Sequence, residues 1–211
     1  MPIHTSRLAA RAVAIAAAGV VAGLLGSGIA AAGVPVNNYL NWNGNFPIIG
    51  NHDPITTHTT TNLPSPDKVN TKSASFPVTV VVTAPALATT GLEEIGAATV
   101  QGSAKVTVAL TDSAGTTQSQ TITLTIPSTK TPPDGSPLTF TATGSTTIPA
   151  VAHTGNATIK VTAASTTLDP KDAGGNDTIL GTFTVTLALD KTGPSQNPTN
   201  NTTLGTISVT S

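Results

Sequence analysis

The chain has 211 residues, of which 9% are charged and 3% are aromatic, and its formal net charge is −1 at pH 7. Because basic residues are few and form no patch, the composition argues against nucleic acid as a partner. The sequence contains no cysteine, which excludes a disulfide within the chain, a thiolate nucleophile and a thiolate-bound metal.

The N-terminal segment has the pattern of a secretory signal peptide. Two arginines precede a run of small and apolar residues at 12–29, and three alanines at 30–32 form a cleavage site. A membrane anchor is the alternative, because the run is nearly long enough to span a bilayer. Alanine and glycine fill much of the run and a polar segment follows, which favours cleavage. We therefore predict a signal peptide at 1–32 and one secreted domain at 33–211, without stable membrane insertion after cleavage.

The remaining chain consists of short segments in which apolar and polar residues alternate, separated by Gly, Pro, Ser and Asp. Alternation with a period of two places the apolar residues on one face of a strand. The pattern is clearest where Phe183, Val185, Leu187 and Leu189 share a face. Extended segments are predicted at residues 39–49, 55–63, 76–84, 117–126, 138–143, 156–163, 178–189 and 204–209. A further stretch at 91–110 opens with a turn at 91–96 and continues as an extended segment.

About nine to ten strands at this spacing, with no amphipathic helix between them, predict an all-β fold. Each strand has one apolar face, which a second layer must cover. We therefore predict a two-sheet antiparallel β-sandwich of the immunoglobulin-like, Greek-key type. Trp42 and Phe46 in the first strand are predicted core or edge anchors.

Four motifs stand out in the chain: FPIIG at 46–50, GLEEIGAATVQGSA at 91–104, IPSTKTPPDGSPLTFTATG at 126–144 and LGTFTVTLALD at 180–190. With these motifs in this order, the chain resembles an actinobacterial family of secreted domains of unknown function from about Tyr39 to its end. The resemblance implies a signal peptide followed by one β-rich domain, with no established catalytic activity and no catalytic residues to carry over.

The chain departs from this family at two positions. Members often carry one cysteine just before the FP motif and one in the last long strand, where this chain has Gly44 and Leu187. If the two cysteines are bonded in relatives, this chain lacks the bridge. Losing a bridge costs a few kcal/mol, so packing around Leu187 is expected to compensate.

Two clusters contain residue types that bind metals. His52, Asp53 and His58 lie close in sequence and offer ligands for zinc or another transition metal, although nothing fixes their spacing on a helix. Their alternative role is that of polar residues on an edge strand and its turn.

Asp169, Asp172 and Asp177, in the polar segment DPKDAGGND, offer oxygen ligands suited to Ca²⁺. Their spacing is not that of an EF-hand, and an ordinary polar hairpin loop is the alternative.

The sequence predicts no enzyme and no cofactor. After the leader there is no G-x-S-x-G motif, and the only two glutamates, Glu93 and Glu94, are adjacent and therefore badly placed as a glycosidase pair. We predict a secreted or cell-surface, non-enzymatic protein that acts in binding, adhesion or the envelope, with an extracellular ligand or cell-wall component as partner. The alternative is a carbohydrate-binding module or accessory domain of a secreted hydrolase system, with Trp42 and Tyr39 as stacking aromatics.

Overall fold

The computed structural model describes residues 33–47, 49–65, 67–190 and 200–211, without the side chains of 51 and 52. The predicted signal peptide at 1–32 lies outside the described residues. In chain order the elements are β1 (Val34–Phe46), β2 (Gly50–Leu63), β3 (Asp67–Lys68), β4 (Phe76–Ala84), α1 (Ala86–Glu94), β5 (Thr99–Thr111), β6 (Thr117–Lys130), β7 (Leu138–Thr146), β8 (Gly155–Lys171), β9 (Phe183–Leu189) and β10 (Thr203–Thr210).

The fold is all-β as predicted, but the prediction of a two-sheet sandwich is wrong. One ten-stranded sheet runs in the order β3-β10-β8-β5-β6-β7-β4-β2-β1-β9, and β9 pairs again with β8. Eight strands from β8 to β9 therefore close into an antiparallel β-barrel. Alternation shows only that each strand has one covered face. A sheet closed on itself covers that face with its own opposite wall, so the same pattern fits both architectures.

The strand β8 is longer than predicted, and a bulge explains the difference. Its register with β5 shifts between Thr107 and Val108, opposite Ala163 and Val161. Odd-numbered residues such as Val161 face the core before the bulge, and even-numbered ones such as Leu168 face it afterwards. Because the extra residue reverses the alternation, the second half of β8 reads as a loop in the sequence.

The predicted turn at 91–96 is instead the end of α1, which covers one end of the barrel. Ala88 and Leu92 are buried there, beside Phe46 and Phe183. Gly96, with φ of +72°, ends the helix in a left-handed conformation. Its N–H donates to the carbonyl of Glu93, which is the geometry of a Schellman cap.

The barrel wall is tight where β5 approaches β8. Gly102 has a φ of +147°. A Cβ atom at this position would lie 2.1 Å from the backbone carbonyl oxygen of Thr167. Only glycine therefore permits this approach.

The chain passes from β9 to β10 through a polar clamp at Asn200. This buried side chain accepts from the backbone N–H of Asn41 at 3.0 Å and donates to the carbonyl oxygen of the same residue at 3.0 Å. It also donates to the carbonyl oxygen of Asp190. The amide of Asn200 thus joins the backbone of β1 at Asn41 to the backbone at Asp190, where the chain leaves β9.

Candidate functional site

A groove with a volume of about 250 Å³ lies on the outer surface of three neighbouring strands, β1, β2 and β4. Residues that face one another across these strands line it in two rows. The first row is Tyr39, His58 and Val81, and the second is Asn41, Thr56 and Thr83, with Thr57 completing the lining. We call this surface the outer groove.

An aromatic stack forms one part of the outer groove. The rings of Tyr39 and His58 lie parallel, with centroids 4.0 Å apart. The Nε2 atom of His58 is hydrogen-bonded to the Oδ1 atom of Asn37. The stack and this bond hold both rings in fixed orientations on the barrel wall.

The second row supplies polar groups. Asn41 is held by the clamp of Asn200, so its position on β1 is fixed by two backbone hydrogen bonds. Thr56 and Thr83 are opposite each other on β2 and β4, and the Thr83 hydroxyl contacts that of Thr139 at 3.3 Å. No side chain among the described lining residues carries a permanent charge. The outer groove therefore combines aromatic surface with hydroxyl and amide groups in a neutral setting.

The structure separates Trp42 from Tyr39. Trp42 points into the barrel, where it is 2% exposed, and its Nε1 atom donates to the Oγ1 atom of Thr57 at 2.9 Å. Residues an odd number of positions apart on a strand point to opposite faces, and Tyr39 and Trp42 are three positions apart. Tyr39 therefore contributes to the outer groove without Trp42, which belongs to the core.

The residues of the possible zinc cluster do not converge. Asp53 faces the barrel interior, where its Oδ2 atom accepts from the backbone N–H of Phe46 at 3.4 Å. His58 lies on the outer face of the same strand, and the side chain of His52 lies outside the described residues. In the part of the chain that the structure describes, no group of three His, Asp or Glu side chains is arranged to hold a metal ion.

The aspartates of the possible calcium loop are held by groups of the protein itself. The ammonium of Lys171 lies between two of them, 2.9 Å from Asp169 and in contact with Asp177. The hydrogen bond from Lys171 lowers the pKa of Asp169, and the bonds to Asp177 and Asp169 raise the pKa of Lys171.

The third carboxylate of that loop has a different role. Asp172 accepts from the backbone N–H groups of Gly174 and Asn176, each at 2.8 Å. This is the geometry of an Asx turn, and the bond from the backbone of Asn176 lowers the pKa of the carboxyl. The positive charge beside Asp169 and Asp177 in the structure is the ammonium of Lys171, and calcium binding by this loop stays a prediction.

Sequence reasoning found Tyr39 but missed the residues that complete the outer groove. Asn41, Val81 and Thr83 come from two strands that are about 40 residues apart in the chain, with β2 between them in the sheet. Thr56 was predicted only as part of the extended segment at 55–63, and His58 only as part of a possible metal cluster. The missing signal is strand order, which no local pattern contains.

A model of a family of unknown function, DUF6801, matches residues 41–204 of the chain. No curated protein and no solved structure matches it. Within the described ranges, no helix combines the length and the hydropathy that crossing a membrane requires.

Proposed function

We propose that this chain, which belongs to the DUF6801 family of unknown function, is a secreted or cell-surface binding protein without catalytic activity. The pattern of the first 32 residues supports export. The observation that carries the binding role is the outer groove, whose volume of about 250 Å³ is just below the range of about 300–1,000 Å³ for drug-sized ligands and therefore suits a small ligand. Its residues offer hydrogen bonds and aromatic surface to a ligand.

The ligand that suits the outer groove is a neutral, polyhydroxylated one, such as a sugar unit of a cell-wall polysaccharide. Aromatic rings have large apolar faces that pack against the C–H faces of sugar rings. The hydroxyls of Thr56 and Thr83 can donate and accept hydrogen bonds with ligand hydroxyls. Because no permanent charge lines the groove, it offers little to a phosphate or carboxylate group.

Binding of the mature protein to purified wall polysaccharides, measured by affinity electrophoresis and calorimetry, tests this proposal. The variants Tyr39→Ala and His58→Ala are expected to weaken binding at least about tenfold, equivalent to about 1.4 kcal/mol. Thr123→Ala is the control, because Thr123 is exposed on β6, outside the groove. Absence of binding to every neutral polymer, or binding that Tyr39→Ala leaves intact, contradicts the proposal.

Export is tested separately on the native producer. Fractionation into medium, wall and membrane, with an intact mass of the recovered protein, is expected to show a chain beginning near Gly33 in the medium or the wall. A full-length chain retained in the membrane contradicts export with cleavage. This result says nothing about ligand binding by the outer groove, so export and binding are tested independently.

A further inference from the structure

A second cavity lies inside the barrel, at the end opposite α1, and has a volume of about 50 Å³. Its walls are aliphatic side chains of β4, β5, β6 and β8, among them Val78, Val106, Ile122 and Val161. Polar residues line it on two sides, Gln120, Thr146 and Thr147 near β6 and β7 and Thr59 and Thr61 on β2, but most of its lining is apolar. We call this space the inner cavity.

The packing of β6 loosens toward the inner cavity. Ile126 and Leu124, the latter also lining the cavity, are 2% and 0% exposed, whereas Ile122 is 9% exposed. Phe76 and Val106 also line the cavity and are only partly buried. These side chains keep accessible surface because the space that they face is not filled by protein.

The barrel wall beside the inner cavity is weak, because β6 and β7 share a single backbone register pair, Thr125 with Thr143. On its other edge β7 pairs with β4 along its whole length. Beyond Thr125 the gap is bridged by side chains. Gln120 Nε2 donates to Thr146 Oγ1 at 3.0 Å, and Gln118 Nε2 donates to the carbonyl oxygen of Ala150 at 3.0 Å.

Such bridges differ from a strand ladder in how they open. A glutamine side chain releases its partner by changing rotamer, whereas a ladder bond breaks only when the backbone moves. Rotamer changes of exposed side chains take place in picoseconds to nanoseconds. The seam between β6 and β7 therefore offers a route through the wall to the inner cavity.

We propose that the inner cavity binds the methyl end of an unbranched alkyl chain that enters through the seam between β6 and β7. A cavity lined by aliphatic groups stays dry, because water finds no partners there. A cavity of about 150 Å³ is needed for a ring such as benzene, so this smaller space suits a slender chain. The polar head of the same molecule remains at the seam, where the amide of Gln120 and the hydroxyl of Thr146 offer hydrogen bonds.

Sodium decanoate, titrated into ¹⁵N- and methyl-labelled protein and followed by NMR, tests the proposal. We expect saturable shifts of the methyl groups of Ile122 and Val161 and intermolecular contacts to the decanoate methyl group. Val106→Phe fills the cavity and is expected to weaken binding at least about tenfold. Lys105→Ala, at the exposed neighbouring position, and Tyr39→Ala, in the outer groove, are expected to bind like the parent.

A second variant keeps the test decisive if Val106→Phe does not fold. Val106→Ala enlarges the cavity and is expected to retain or strengthen decanoate binding while its melting temperature falls. The proposal is overturned if decanoate leaves the methyl groups of Ile122 and Val161 unshifted at millimolar concentration. It is also overturned if a folded Val106→Phe variant binds as well as the parent.

Discussion

Gly44 and Leu187 lie one position beyond the paired residues of β1 and β9, close enough to test as a disulfide pair. The register pairs Trp42 with Leu189 and Asn43 with Ala188, and its continuation would place Gly44 opposite Leu187. A Cβ atom at Gly44 would lie 3.3 Å from the Cδ2 atom of Leu187. Opposite residues of antiparallel strands have Cα atoms about 4.5–5.5 Å apart, within the range that a disulfide spans. We predict that the double variant Gly44→Cys/Leu187→Cys forms the bridge.

The stabilisation that the bridge provides and the destabilisation that the two substitutions cause are of similar size. The bridge closes a loop of about 140 residues, which stabilises the folded state by about 5 kcal/mol in the chain-entropy treatment. Losing the nearly buried Leu187 side chain costs about 2–3 kcal/mol. The new Cβ atom at position 44 would also lie 2.5 Å from the Cδ1 atom of Ile55, and relieving such overpacking costs about 1–3 kcal/mol. We therefore expect the oxidised variant to have about the same free energy of unfolding as the parent. The free energy of unfolding of the reduced variant is expected to be about 5 kcal/mol lower.

Urea unfolding of the double variant, with and without reductant, measures this difference, and intact mass shows whether the bridge is present. Leu187→Cys alone is the control, because it loses the same side chain without gaining a bridge, and reductant should leave its stability unchanged. Two free thiols after complete oxidation would refute the reasoning, since they would mean that β1 and β9 do not close the barrel in this register.

Three further predictions concern stability. Gly102→Ala is expected to cost about 3 kcal/mol or more, whereas Gly135→Ala, at a φ of +76° with open space around it, costs about 1 kcal/mol; equal costs in urea unfolding would contradict the close approach of β5 and β8. Burial raises the pKa of Asp67 above its ordinary 3.8, so its charged form is disfavoured in the folded state. Asp67→Asn should therefore raise the melting temperature at pH 7, by a margin that shrinks as the pH falls through the raised pKa; a lower melting temperature at pH 7 would oppose this. The hydrogen bond from His153 lowers the pKa of Asp112 below 3.8, so its stabilisation is present above that pH and is lost as the pH falls through the lowered pKa. Asp112→Asn should flatten this acid limb of the melting profile, and an unchanged limb would argue against the ion pair.

The sequence predicted the strands well wherever the alternation is unbroken. The residues from Phe76 to Ala84 form β4 with the predicted bounds, because Val78, Val80 and Val82 face the core without interruption. The extra residue in β8 near Thr162 reverses the alternation, and no local signal distinguishes such a bulge from a loop. The helix α1 was missed because it has only nine residues, two of them threonines and one a glycine, all of which lower helix propensity.

Closure of the sheet and the composition of the outer groove have the same cause, which is pairing between distant strands. Tyr39 was singled out because aromatic residues are rare in this chain. Nothing near Val81 indicates that β4 lies two strands away from β1, beside the same groove. Local pattern determines which face of a strand is buried, whereas the order of strands depends on packing over the whole chain.

The pairing of β1 with β9 also has a kinetic consequence. The first strand of the described chain pairs with β9, near the other end of the domain, so closure of the barrel joins residues of very large sequence separation. Topologies of this kind refold in milliseconds to seconds rather than microseconds. Trp42, the only tryptophan of the chain, lies directly opposite Leu189 at this joint. Its fluorescence in a stopped-flow refolding experiment therefore reports the moment at which the sheet becomes a barrel.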